Sequence, residues 1–277
     1  MRFILFVLAL AGCTSAASAA EPAASADGSF TSQTMTMPVS TAMAFRGKSV
    51  LDKTDVIVVA VTNGDLRVGW FANFHDRRRA IQRRLIDSET VVVYFEFKPD
   101  GAYRGLSYYF KRGNGCGYCG GGVASTIKLS GGRLVGSLKA KDEQRNFDVT
   151  LNVPITPDDH GAPLPADGGA PGKAYMGYHE ALVKRDAKAL RPFLSNEARG
   201  YLDAAQKKGR TDSELKSLAK DHPDQALRIT QGFSKGNQAV LLVAGESSSV
   251  KVSGEVVLVN EGGSWRVDDE LTDVVLQ

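Results

Sequence analysis

The stretch RNFDVTLNVPI, residues 145–155, alternates between apolar and polar side chains without a break. A period of two places successive side chains on opposite faces of a strand, one in a core and the other in solvent. The apolar face comprises Phe147, Val149, Leu151, Val153 and Ile155. The stretch therefore predicts a long, half-buried strand.

Two segments earlier in the chain also have the patterns of β-strands. TVVVYFEFK, residues 90–98, also alternates, while TDVIVVAVT, residues 54–62, is a continuous apolar run typical of a central strand covered on both faces. Turn residues separate predicted strands at Pro99-Asp100-Gly101 and at Gly131-Gly132. Residues 31–155 are therefore predicted to form an N-terminal antiparallel all-β sandwich or partly open barrel.

One predicted helix, FHDRRRAIQRRLI at residues 74–86, interrupts these strands and carries five arginines within eight residues. Residues 30–155 hold 18 Lys and Arg against 11 Asp and Glu, a net charge of +7, whereas residues 170–277 hold 15 of each. This local basic patch could face anionic lipid head groups or an envelope protein, or its arginine stems could pack over the sheet. The patch comprises Arg77, Arg78, Arg79, Arg83 and Arg84.

A change of composition marks the second half of the chain. Residues 156–172 contain four prolines and four glycines and show no apolar periodicity, which predicts a linker. Residues 173–277 show helical spacing first and a period of two afterwards. Helices followed by strands predict an α+β domain.

The order of elements from Lys173 onward, with the closing hairpin VVLVNEGGSWRVDDE at residues 256–270, resembles the NTF2-like or cystatin-like cone domains of many small bacterial lipoproteins. The resemblance implies a two-domain protein whose C-terminal part is a cone of helices followed by a curled antiparallel sheet. It implies no particular activity, because one fold hosts many functions. The N-terminal β domain resembles domains of uncharacterised secreted bacterial proteins.

The N-terminus is typical of an exported protein. One basic residue, Arg2, precedes nine apolar residues, too few to span a membrane, so residues 1–12 are predicted to be a signal peptide. Leu10-Ala11-Gly12-Cys13 resembles the lipobox of bacterial lipoproteins, which implies lipidation of Cys13 and a flexible tether over residues 13–30. With Thr14 after the cysteine, the resemblance implies the periplasmic face of the outer membrane. Cleavage near Ala19 is the alternative and would leave a soluble periplasmic protein.

The glycine-rich loop GNGCGYCGGG, residues 113–122, contains Cys116 and Cys119. Three glycines after Cys119 disfavour the helix that would lower the pKa of a redox cysteine, although Cys-Gly-Tyr-Cys resembles the active-site sequence of some periplasmic disulfide isomerases. The favoured interpretation is a structural disulfide that closes a tight turn in an oxidising compartment. Thiol redox chemistry stays open as an alternative.

The sequence lacks the motifs of several common classes of enzyme and metal site. A Gly-x-Ser-x-Gly elbow, a P-loop, a zinc-protease helix and an EF-hand loop are all absent, and the four histidines are scattered, so we predict neither a metal nor a cofactor. Nucleic acid is not an expected partner of an exported protein. A candidate pocket comprises Tyr175, Tyr178, His179 and Trp265, although the aromatic three could equally be core residues and His179 a residue on the helix surface.

These observations leave several functions open. The leading expectation is a non-enzymatic, membrane-tethered binding or scaffold protein. The alternative is a small-ligand or weakly enzymatic pocket in the C-terminal domain. A cavity surrounded by buried ionisable groups would favour that alternative.

Overall fold

The computed structural model describes residues 24–32, 35–66, 68–85, 90–109, 121–143, 145–220, 222–223, 225–247 and 250–274. Of these residues, 50% lie in strands and 24% in α-helices. Within the described ranges, no helix is both long and apolar enough to cross a membrane. Cys13, Cys116 and Cys119, and with them the predicted lipid anchor and disulfide, lie outside the described residues.

The first sheet surrounds the long strand predicted from residues 145–155. Its strands are β1 Ser25–Ser32, β2 Met35–Val39, β3 Thr41–Lys48, β4 Asp55–Thr62, β5 Val92–Phe97, β6 Tyr103–Tyr109, β7 Ala124–Ser125, β8 Lys128–Ser130, β9 Arg133–Lys141 and β10 Arg145–Thr156. They pair in the order β2-β1-β10-β3-β4-β5-β6, and β9 lies on the other edge of β10 with β7 and β8 beyond it.

Strand β10 confirms the alternation read from the sequence. Phe147, Val149, Leu151 and Val153 are buried, while Asp148 is exposed. The strand pairs antiparallel with β1 and β9 along most of its length and in parallel with β3 at its last two residues. It thus joins the two halves of the sheet, which curls around one apolar cluster formed by residues of β1, β3, β4, β5, β9 and β10.

The second sheet has five antiparallel strands in chain order, and helices pack on it. The strands are β11 Ala162–Pro163, β12 Gln225–Lys235, β13 Gln238–Ser247, β14 Val250–Glu261 and β15 Ser264–Val274. Strand β11 lies within the segment predicted as a linker. The helices found in the described residues are α1 Val68–Phe71, α2 Arg77–Leu85, α3 Gly169–Val183, α4 Ala187–Leu190, a 3₁₀ turn Arg191–Phe193, α5 Asn196–Lys207 and α6 Thr211–Lys220.

The two sheets meet in a shared core. Met43 and Phe45 of β3 belong to the same buried cluster as Val240, Val257 and Leu271 of the second sheet. The carboxylate of Glu255 on β14 reaches across the junction and accepts hydrogen bonds from the backbone amides of His75 and Asp76, both of 2.9 Å, just before α2.

The predicted fold class is therefore wrong. The first sheet contains a parallel pair, β3 with β10, and so is not an antiparallel sandwich or barrel. The chain forms a curled sheet with a seven-strand path and a five-stranded sheet that share a core, with few helices, and does not show a C-terminal cone of helices followed by a sheet. Periodicity reports which face of an element is buried, but it carries no information on which distant element covers that face.

Candidate functional site

A buried carboxylate, that of Glu270 on β15, lies at the centre of a polar network. Tyr175 Oη donates a hydrogen bond of 2.6 Å to Glu270 Oε1, and the Tyr178 hydroxyl also hydrogen-bonds this carboxylate. His222 Nδ1 lies 3.0 Å from the same Oε1, within ion-pairing distance. The side chains of Glu270 and His222 are only 10% and 1% exposed. Buried groups of this kind require partners. Glu270 Oε1 accepts a hydrogen bond from Tyr175, whereas His222 Nδ1 lies at ion-pairing distance from it without a hydrogen bond of regular geometry.

Helix α3 positions the two tyrosines. Tyr175 and Tyr178 are three residues apart, so their side chains share the helix face that packs on β15. Burial raises the pKa of both hydroxyls well above the ordinary value, and the nearby Glu270 carboxylate raises it further. Both tyrosines therefore stay protonated and act as donors to Glu270.

Two histidines extend the network away from the carboxylate. His222 Nε2 lies 2.6 Å from Nδ1 of His179, which is half-buried on α3. At that distance one of the two nitrogens carries a proton and the other accepts it. The edges of the Tyr175 and Tyr178 rings face the ring of His222, each at 6.2 Å between centroids, which holds the imidazole in place.

A cavity of about 480 Å³ opens beside this network, between α5, α6 and β15. Its wall is about half apolar and includes Leu190, Leu194, Leu202, Leu218 and Val267. Its polar lining includes Tyr178, Tyr201, Lys208, Arg210, Glu214, Ser217, Asp268, Asp269, Glu270 and Thr272. Small-molecule sites combine apolar walls with convergent polar groups.

A β-bulge explains why three successive acids line one cavity. In a regular strand, neighbouring side chains point to opposite faces. Val257 of β14 pairs with Asp269, but the next residue, Leu258, pairs with Val267, so Asp268 is the extra residue of a bulge. Bulges often redirect side chains next to functional sites.

The structure brings together three of the four predicted pocket residues. Tyr175, Tyr178 and His179 belong to the network, whereas Trp265 lies five residues before Glu270 on β15 and packs, half-buried, against the apolar cluster beneath the helices. The sequence analysis did not select His222 or Glu270. In the sequence, His222 is a single histidine before a proline, and Glu270 is one carboxylate in an acidic run. Neither pattern indicates that the two side chains share a site.

The predicted basic patch does not lie wholly on the surface. The side chain of Arg77 is 1% exposed and binds Asp158 and the carbonyls of Ala72 and Pro157. Arg78 pairs with the buried Glu96 at 2.7 Å and lies over the ring of Tyr94. These two arginines are therefore structural.

Of the other predicted patch residues, Arg79 is half-buried, and the side chains of Arg83 and Arg84 lie outside the described residues.

Throughout the part of the chain that the structure describes, no group of three or more His, Cys, Asp or Glu side chains could hold a metal ion. Comparison with models of protein families and with curated protein sequences found no match for this chain.

Proposed function

We propose that this protein binds a small ligand with an apolar body and a protonated nitrogen in the cavity beside Glu270. The observation that carries the proposal is the bulged run Asp268, Asp269 and Glu270, which places three carboxylates at one side of a cavity whose wall is about half apolar. A scaffold protein has no need of such a cavity, so the geometry favours the ligand-binding alternative.

The charge around the cavity favours a cation. Among the described residues that line it, four are acidic, Glu214 on α6 and the three of the bulged run, and two are basic. The basic pair, Lys208 and Arg210, is exposed, and Arg210 lies 3.6 Å from Glu214, which partly offsets its charge. A cation that enters a cavity loses part of its hydration shell. Contacts with fixed carboxylates compensate for that loss.

The volume and lining also limit the ligand's body. About 480 Å³ is within the usual range for small-molecule sites and suits a molecule of modest size. Leucine side chains from α4, α5 and α6 would cover its hydrocarbon part, at roughly 25 cal/mol per Å² of apolar surface removed from water. Affinity would therefore come from the apolar body, and the carboxylates would select the charge.

Three probes of equal chain length test this assignment: hexylammonium, hexanol and hexanoate. We expect hexylammonium to bind at least tenfold more tightly than hexanol, and hexanoate to bind most weakly, as measured by isothermal titration calorimetry. Glu270→Gln should weaken the binding of hexylammonium but not of hexanol, and Ala198→Phe, on the cavity wall, should weaken both. Glu246→Gln on β13, outside the cavity, is the matched control.

Two results would overturn the assignment. One is equal affinity for hexanoate and hexylammonium, and the other is unchanged binding in a folded Ala198→Phe variant. Circular dichroism of each variant establishes that it is folded before binding is compared.

We further propose that the cavity is displayed outside the cytoplasm from a lipid anchor at Cys13. The lipobox-like Leu10-Ala11-Gly12-Cys13 supports this placement. Mass spectrometry of the mature chain should find Cys13 as an acylated first residue. Without reduction it should also show the loss of two hydrogens that a Cys116–Cys119 disulfide entails. An unmodified start at Ala20 or Glu21 would contradict the anchor.

A further inference from the structure

Resting on the proposed function, we propose that a cationic ligand entering the cavity displaces a proton from the chain Glu270, His222 and His179, and that this proton leaves through His179. The cavity and the chain share one carboxylate. Glu270 lines the cavity, and its Oε1 lies 3.0 Å from His222 Nδ1. Ligand charge and network charge therefore act on the same group.

Without ligand, a buried network is most stable when the charges of its side chains sum to zero. The ligand-free state of this proposal is an ionised Glu270 facing His222 as an imidazolium, since His222 Nδ1 lies 3.0 Å from Glu270 Oε1 and His222 Nε2 lies 2.6 Å from His179 Nδ1. His222 is 1% exposed, so an uncompensated carboxylate beside it would be costly. The imidazolium compensates it.

With the ligand bound, the ammonium group of the ligand takes over that role. Two positive charges next to one carboxylate repel each other, and the more labile proton is the one on the histidine pair. The exchange balances: R–NH₃⁺ joins Glu270, one N–H bond of the imidazolium breaks, and one proton passes from His222 Nε2 through His179 to water. One positive charge enters and one leaves, and no bond of the ligand changes.

The groups packed around the chain allow this exchange. Tyr175 and Tyr178 on α3 face Glu270 as protonated donors, since burial raises the pKa of both. From β15, Asp268 and Asp269 add negative charge on the cavity side. On the helical side the cavity lining adds Glu214 of α6 with the exposed Lys208 and Arg210.

The test counts protons. Hexylammonium is titrated into the full chain in phosphate and in Tris, whose ionisation enthalpies differ, so that the difference in binding heat gives the number of protons released. We expect close to one proton released per ligand bound at acidic pH and none at alkaline pH, where the histidine pair has no proton to lose. Over the same range, affinity should rise about tenfold per pH unit. Hexanol, which is neutral, should release none.

Variants identify the source of the proton. His222→Gln and His179→Gln should each reduce the release to near zero, and His179 provides the second variant because it is half-buried and its replacement spares the core. His160→Gln, at the junction of the sheets, is the matched control and should keep the release of one proton.

The outcomes separate the two proposals. If hexylammonium does not bind, the proposed function fails and this inference fails with it. If hexylammonium binds without releasing a proton, or releases one in the folded His179→Gln variant as in the native chain, the cavity assignment stands and the proton exchange is overturned.

Discussion

Replacing Arg78 by methionine is expected to lower the free energy of unfolding by about 3–5 kcal/mol, because it leaves a buried carboxylate without its cation. Glu96 is 1% exposed and accepts hydrogen bonds from Arg78 Nη2 at 2.7 Å, Ser49 Oγ at 2.7 Å and the amide of Val50 at 3.2 Å. Methionine keeps much of the apolar stem that packs on the sheet. Urea denaturation at neutral pH measures the loss.

Two further variants show whether the charge is responsible. Arg78→Met combined with Glu96→Gln removes both charges while keeping an acceptor for Ser49, and it should recover much of the lost stability. Lys48→Met breaks the exposed ion pair with Asp55 and should change stability by less than about 1 kcal/mol. A loss in Arg78→Met no larger than in Lys48→Met would contradict the structural role of this arginine.

Glu255→Ala is expected to lower the free energy of unfolding by about 2–3 kcal/mol, because it removes the acceptor of two amides at the junction of the sheets. The carboxylate accepts hydrogen bonds of 2.9 Å from the backbone amides of both His75 and Asp76. Glu255→Gln keeps one acceptor oxygen and should lose less. Because the sheets share a core, both variants should still unfold in one transition, which thermal denaturation followed at two wavelengths checks.

The pH dependence of this effect has a defined sign. Burial raises the pKa of Glu255 above its ordinary value of 4.5, so the folded chain binds this proton more tightly than the unfolded chain. Its ionisation therefore removes stability as the pH rises from 4.5 through the raised pKa. Burial lowers the pKa of His75 and His160, whose contribution is instead lost as the pH falls below 6.5. Glu255→Gln should remove the pH dependence of the free energy of unfolding only in the first window, the one above pH 4.5. An unchanged pH profile of stability would contradict the assignment to Glu255.

Much of the local structure could be predicted from the sequence. The alternation in residues 145–155 predicted the buried face of β10, and the run at residues 54–62 predicted β4, whose residues are almost all buried. The helix with five arginines also forms, as α2. Local patterns succeed here because the period of side chains depends on the backbone of a single element.

The candidate site could be predicted only in part. Tyr175, Tyr178 and His179 share one face of α3, and helical spacing places them together. Their partners are His222, which follows the end of α6, and Glu270 on β15, both far along the chain. Periodicity within one element has no means of indicating that three such elements converge.

What the sequence by itself determined is the position of several elements, among them β4, β10 and α2, and which face of β10 is apolar, whereas β11 lies in the segment predicted as a linker. Only the tertiary structure decided that β10 pairs in parallel with β3, that the two sheets share a core, and that a bulge at Asp268 directs three acids towards one cavity. The physical reason is that the side-chain period is a property of the local backbone. Strand pairing, bulges and buried polar networks depend instead on whether distant groups can satisfy one another's hydrogen bonds and charges in a common interior.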